Sequence, residues 1–93
     1  MENTESKPDG VSARGDVTTL DRIVPPGTCR VVMVPARGPV RQRLLAFGFV
    51  PGAVVEAVRT APLGDPIEYK VKGACISLRK EDARLISVTC RGA

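Results

Sequence analysis

The sequence predicts a small, mainly β domain: about five short strands closed into a barrel, with one or two short helices. Three observations point there. Runs rich in β-branched residues recur between Pro and Gly turns, as strands require. Residues 67–72, "IEYKVK", alternate strictly, Ile67, Tyr69 and Val71 against Glu68, Lys70 and Lys72. Only one stretch, near residues 39–48, carries a helical period. Closing such short strands into a barrel is the economical solution for a chain of 93 residues, because closure removes exposed sheet edges.

Each element follows in turn. "MENTESKPDGVSARGDVTT", residues 1–19, is polar and has almost nothing to bury, so a disordered leader is expected. The domain is expected over residues 20–90, with residues 91–93 frayed. Pro25-Pro26-Gly27 marks an opening turn. In "CRVVMV", Cys29, Val31 and Met33 share one face and Arg30, Val32 and Val34 the other; both are largely apolar, which predicts a strand buried on both sides. In "GPVRQRLLAFGF", Val40, Leu44 and Phe47 fall on one helical face with Leu45 beside them. Pro39 suits the first helical turn and Gly48 the left-handed position that ends a helix. Arg41 and Arg43 then lie off the core face. "VPGAVVEAVRT" turns and enters a second strand, "APLGDP" is a loop, and "IEYKVK" is a third strand with one wet face. Gly73 turns the chain into "ACISLR", with Ala74, Ile76 and Leu78 on one side. "KEDA" is a single helical turn, and "RLISV" is the last strand, Ile86 and Val88 inward.

Bulk composition narrows the function. Hydrophobic residues make up 43% of the chain but aromatics only 3%, so the core is aliphatic and leaves little room for a deep pocket. Residues 1–19 hold two basic and four acidic side chains, net −2, which leaves the body with twelve and six, net +6. A basic body suits nucleic acid, anionic lipid or an acidic protein face. Three cysteines, Cys29, Cys75 and Cys90, with no C-x-x-C and no histidine, argue against a disulfide framework or a zinc site and for reduced thiols. No apolar run reaches the ~18–20 residues of a membrane span, so any membrane role would come through a partner.

Several chemistries find no support. Asp65, Glu68, Glu81 and Asp82 offer oxygen ligands, and Cys75 a sulfur, but none sits at a recognised metal spacing; no metal and no other cofactor is expected. There is no histidine base, nucleophile elbow or P-loop, so no enzyme is expected. Nucleic acid is not the expected partner either, since stacking platforms are scarce and Phe47 and Tyr69 are assigned to the core. A proline-rich ligand would need an aromatic-walled groove, for which a chain with no tryptophan and one tyrosine is poorly supplied.

"PPGTCRVV", "RQRLLAFGFVPG", "APLGDP" and "ISLRKEDA" occur in an order and spacing that resembles the FeoA family, over residues 20–89. The resemblance implies an SH3-like barrel and a small cytosolic accessory protein of ferrous iron uptake. It implies binding to, and modulation of, the GTPase-containing transporter FeoB at the inner face of the bacterial plasma membrane. The alternative is a free-standing basic SH3-like domain that binds nucleic acid or a transcriptional regulator. Self-association stays open. Five residues are the candidates for partner binding: Arg41, Arg43, Leu45, Leu63 and Asp65. With Arg37, the two helix arginines form a patch that would steer the domain to an acidic face. Leu63 has two readings: folded back over the barrel mouth, or held out by Pro62 and Pro66 as an apolar anchor.

Overall fold

A computed structural model describes residues 16–90. The expected disorder ahead of residue 16 and fraying after residue 90 lie outside the described residues. Six strands and two helices follow in order: β1 (Val17–Thr19), a 3-10 turn (Leu20–Arg22), β2 (Gly27–Met33), α1 (Pro39–Phe47), β3 (Val54–Thr60), β4 (Ile67–Val71), β5 (Ala74–Leu78), α2 (Lys80–Ala83) and β6 (Ser87–Thr89). All pair antiparallel in one sheet of order β1-β6-β2-β3-β4-β5. The mainly β class, with two short helices, is as the sequence predicts; the described residues hold six strands where about five are expected, and among them the end strands β1 and β5 do not pair with each other. The additional strand corrects the expected boundary at residue 20. Val17–Thr19 pairs with β6, Val17 opposite Thr89 and Thr19 opposite Ser87, so the fold begins inside the stretch assigned to the leader.

One face of this sheet wraps a single apolar cluster. Val31, Val55, Ile67, Tyr69 and Val88 meet there with Leu44 of α1 and Ala83 of α2. Strand β4 reads as its sequence does: Ile67, Tyr69 and Val71 are buried, and Lys70 between them is exposed. The Tyr69 ring meets Phe49 edge-on, centroids 6.4 Å apart at 89°, a favoured aromatic arrangement. Its hydroxyl points at the Leu20 carbonyl, 3.4 Å away, and burial raises the phenol's pKa above its ordinary range. Burial likewise pushes the Cys29 thiol up to about 12, with the nearby Cys90 adding to it. Cys29 is therefore an inert core filler, whereas Cys75 and Cys90 are exposed.

Two expectations about the core need correction. Strand β2 is buried on one face only: Cys29 and Val31 are inside, while Met33 and Val32 are exposed. The ladder to β6 slips between Val31 and Met33, and this bulge turns Met33 off the inward row. Phe47 is also exposed, and Phe49 takes its place at 0% exposure. The cause is the helix end. Gly48, at φ 109°, sends its N–H back to Leu45 O at 3.0 Å, and Phe49 N–H reaches Leu44 O at 3.0 Å. That pattern brings the residue after the glycine against the helix residue five places earlier. Phe49 and Leu44 are both fully buried as a result.

Candidate functional site

The loop between β3 and β4, residues 61–66, is closed by its own backbone. Ala61 N–H donates to Pro66 O at 2.9 Å, and Gly64 N–H donates to Ala61 O at 2.7 Å. The turn at Gly64 has φ 92°, which favours glycine. Asp65 then ties the loop to the next layer: its Oδ1 accepts the Lys80 N–H, the first amide of α2, at 2.9 Å. Helix α2 begins after Arg79, whose side chain makes no cap bond. Its first amide is thus satisfied from a distant loop rather than by its own N-cap residue.

Leu63 sits at the tip, 96% exposed. It does not fold back over the barrel mouth; its side chain stands out in solvent. A single exposed leucine is ordinary on a protein surface; what sets this one apart is the closed and tied loop that carries it.

The other candidates fall around α2. Arg43 Nη2 donates to Asp82 Oδ2 at 3.3 Å, joining α1 to α2 two residues from the Asp65 tie. Exposed pairs of this kind contribute ~0.2–1 kcal/mol, so this one adds little to stability. Arg43 is thereby paired with a neighbour, while Arg37 is exposed and Arg41 half-buried. Leu45 is half-buried and packs against the core, so little of it remains for a partner. Leu63, Asp65 and Arg43 are brought together around α2; Leu45 is turned inward.

Sequence reasoning missed two surface features. Phe47, on the rim of α1, is exposed. A groove of about 210 Å³ opens beside the loop, with Arg59, Pro62, Pro66, Glu68 and Ser77 among its lining residues. Arg59 Nε meets Glu68 Oε1 across it at 3.0 Å. The glycine-ended helix was the available signal for Phe47; the groove depends on a long-range register that no local pattern announces. Among the described residues, no three of Cys, Asp and Glu gather to hold a metal, and no helix is long and apolar enough to cross a membrane.

The loop thus presents an apolar tip, with Asp65 and the start of α2 fixed beside it. A model of the FeoA domain family matches residues 18–90. The chain belongs to the FeoA family. Its relatives include an Fe(2+) transport protein A/Fe(2+) transporter FeoB fusion protein of Porphyromonas gingivalis, 45% identical over 58 residues. That match takes in 62% of this chain and 7% of the fusion protein. The solution structure of iron(II) transport protein A from Clostridium thermocellum superposes with a TM-score of 0.76 at 41% identity, covering 81% of this chain and 46% of that one. The zinc complex of Stenotrophomonas maltophilia FeoA, described as an SH3 domain protein, superposes with a TM-score of 0.68 at 28% identity, covering 76% and 88%. The FeoA chain thus spans a small part of the fusion protein and about half of the Clostridium chain, and the SH3-like fold is the one the sequence predicts.

Proposed function

We propose that this FeoA domain is a non-enzymatic accessory of ferrous iron uptake. It docks through its outer surface on the cytoplasmic GTPase part of a FeoB-like transporter, modulates it, and so stands at the inner face of the membrane. The observation that carries the reading is the Porphyromonas gingivalis relative, in which the matching segment and a FeoB transporter are one chain. Covalent linkage keeps two modules at an effective concentration of about a millimolar with short linkers, so a fused domain needs only weak contacts. Where no such linkage holds the two together, docking needs an anchor on the domain itself.

Leu63 has the properties of such an anchor. The loop that carries it is already closed and tied, so little conformational entropy is lost when the side chain is covered. Burying one leucine contributes ~1–2 kcal/mol, about five- to thirtyfold in affinity. Arg37 and Arg41 would raise the association rate toward an acidic face, an effect that fades with salt.

The test is binding of the purified domain to the GTPase part of a FeoB-like protein, followed by calorimetry. Leu63→Ala is expected to weaken binding about five- to thirtyfold and to leave thermal stability unchanged, because the side chain it removes is 96% exposed. Undiminished affinity in this variant would remove the loop from the interface. Absence of binding by the unaltered domain, with nucleic acid captured instead, would overturn the reading altogether. GTP hydrolysis measured with and without the domain separates modulation from scaffolding.

A further inference from the structure

Strand β5 ends the sheet. Among the described residues it pairs with β4 alone, Val71 opposite Ala74, Tyr69 opposite Ile76 and Ile67 opposite Leu78. The connection is a two-residue turn, Lys72 at φ 50° and Gly73 at φ 82°, the positive-φ pair of a tight hairpin. A two-residue turn makes its flanking residues, Val71 and Ala74, a hydrogen-bonded pair. Alternation then makes Tyr69–Ile76 and Ile67–Leu78 hydrogen-bonded too, and leaves Lys70–Cys75 and Glu68–Ser77 as the other kind. The N–H and C=O groups of Cys75 and Ser77 therefore point away from β4, toward the open edge.

Natural edges are normally blunted by a proline, a lysine, a bulge or a covering segment. Strand β5, "ACISL", contains neither proline nor charge, and its register with β4 is unbroken. Its side chains are unfinished as well. Along the inward row Leu78 is buried, Ile76 half-buried and Ala74 exposed, so apolar surface of the edge strand opens toward the hairpin turn. The surroundings are basic. Lys70 stands directly across from Cys75, and Lys72, Arg79 and Lys80 bracket the strand. The one nearby carboxylate on β4, Glu68, is held by Arg59 at 3.0 Å.

We propose that the β5 edge receives an extended segment of a partner protein, one that alternates apolar with acidic side chains and adds as a seventh strand. Its backbone would bond Cys75 and Ser77, its apolar side chains would cover Ile76 and Ala74, and its acidic ones would lie over Lys70 and Lys72. A second copy of this chain fits less well. The twofold register that uses both Cys75 and Ser77 brings Lys72 of each copy toward Lys80 of the other, and like charges opposite one another oppose pairing. This inference goes beyond docking through the Leu63 loop and does not rest on the transporter.

The probe is a synthetic seven-residue peptide with Val at alternate positions and Glu between them, titrated into the isotopically labelled protein. Amide shift changes are expected over residues 73–79, with slowed hydrogen exchange at Cys75 and Ser77. Replacing Glu by Lys in the peptide should weaken binding at least about tenfold. Ser77→Pro removes an N–H that the β4 ladder does not use, so the chain should stay folded and lose about tenfold or more in affinity. Methylating alternate peptide nitrogens gives the same readout with the protein untouched. Shifts centred on residues 61–66, equal affinity for the Glu and Lys peptides, or no shift at all would overturn the proposal. So would concentration-dependent dimerisation through β5. Exchange at Cys75 and Ser77 that is already slow without peptide, and quickens when residues 1–15 are removed, would assign the edge to the chain's own leader and overturn it equally.

Discussion

The two ends of strand β4 reverse the chain in opposite ways. Before it, the loop 61–66 spends two backbone bonds and the Asp65 carboxylate to hold one apolar side chain in water. After it, Lys72 and Gly73 turn in two residues and present a lysine. The second is the least that a hairpin requires. The first uses more structure than chain reversal needs. Fixed geometry around an exposed leucine lowers the entropic cost of covering that side chain.

The comparison can be broken most forcefully at its common support. Tyr69 lies midway along β4, fully buried against Phe49, and Tyr69→Ala is expected to cost ~3–5 kcal/mol. A domain this small has only ~5–15 kcal/mol in all, so both ends should be lost together, seen as a large fall in melting temperature. If the loop kept its amide shifts in that variant, it would be an independent unit rather than an extension of β4. Next comes the tight turn. Gly73→Val places a β-branched residue at φ 82° and should cost ~1–2 kcal/mol in denaturant unfolding, without altering the loop's spectrum. Smallest is the tie itself. Asp65→Ala removes the acceptor of the Lys80 N–H and should cost ~1 kcal/mol. Faster amide exchange at Gly64 and Lys80 is expected, while residues 72–73 stay as they were; unchanged exchange at Lys80 would show that the tie does not hold the loop.

Much of this arrangement is legible in the residues. Strict alternation places Ile67, Tyr69 and Val71 correctly, since a wet face and a dry face leave no other register. Pro39 and Gly48 bound α1 where its ends are found. Three features resist such reading, each for a physical reason. "VTT" is too short and polar to signal a strand, and Val17–Thr19 exists only because β6 offers an edge. Met33 is displaced by a bulge, which shifts the inward row without leaving a mark in the pattern. The exchange of Phe47 for Phe49 follows from the reversal at Gly48, beyond which helical periodicity no longer applies. In the candidate site, the prolines announce a stiff loop, but its attachment to α2 spans fifteen residues and needs the folded sheet.

Tyr69 has one last consequence, an optical one. The chain holds no tryptophan, and its single tyrosine is sealed at 0% exposure. Light absorbed by indole in a mixture must therefore be absorbed by the other protein. Any tryptophan on a partner that comes to rest against Leu63 or β5 would report its arrival against a dark background, with no label on either molecule.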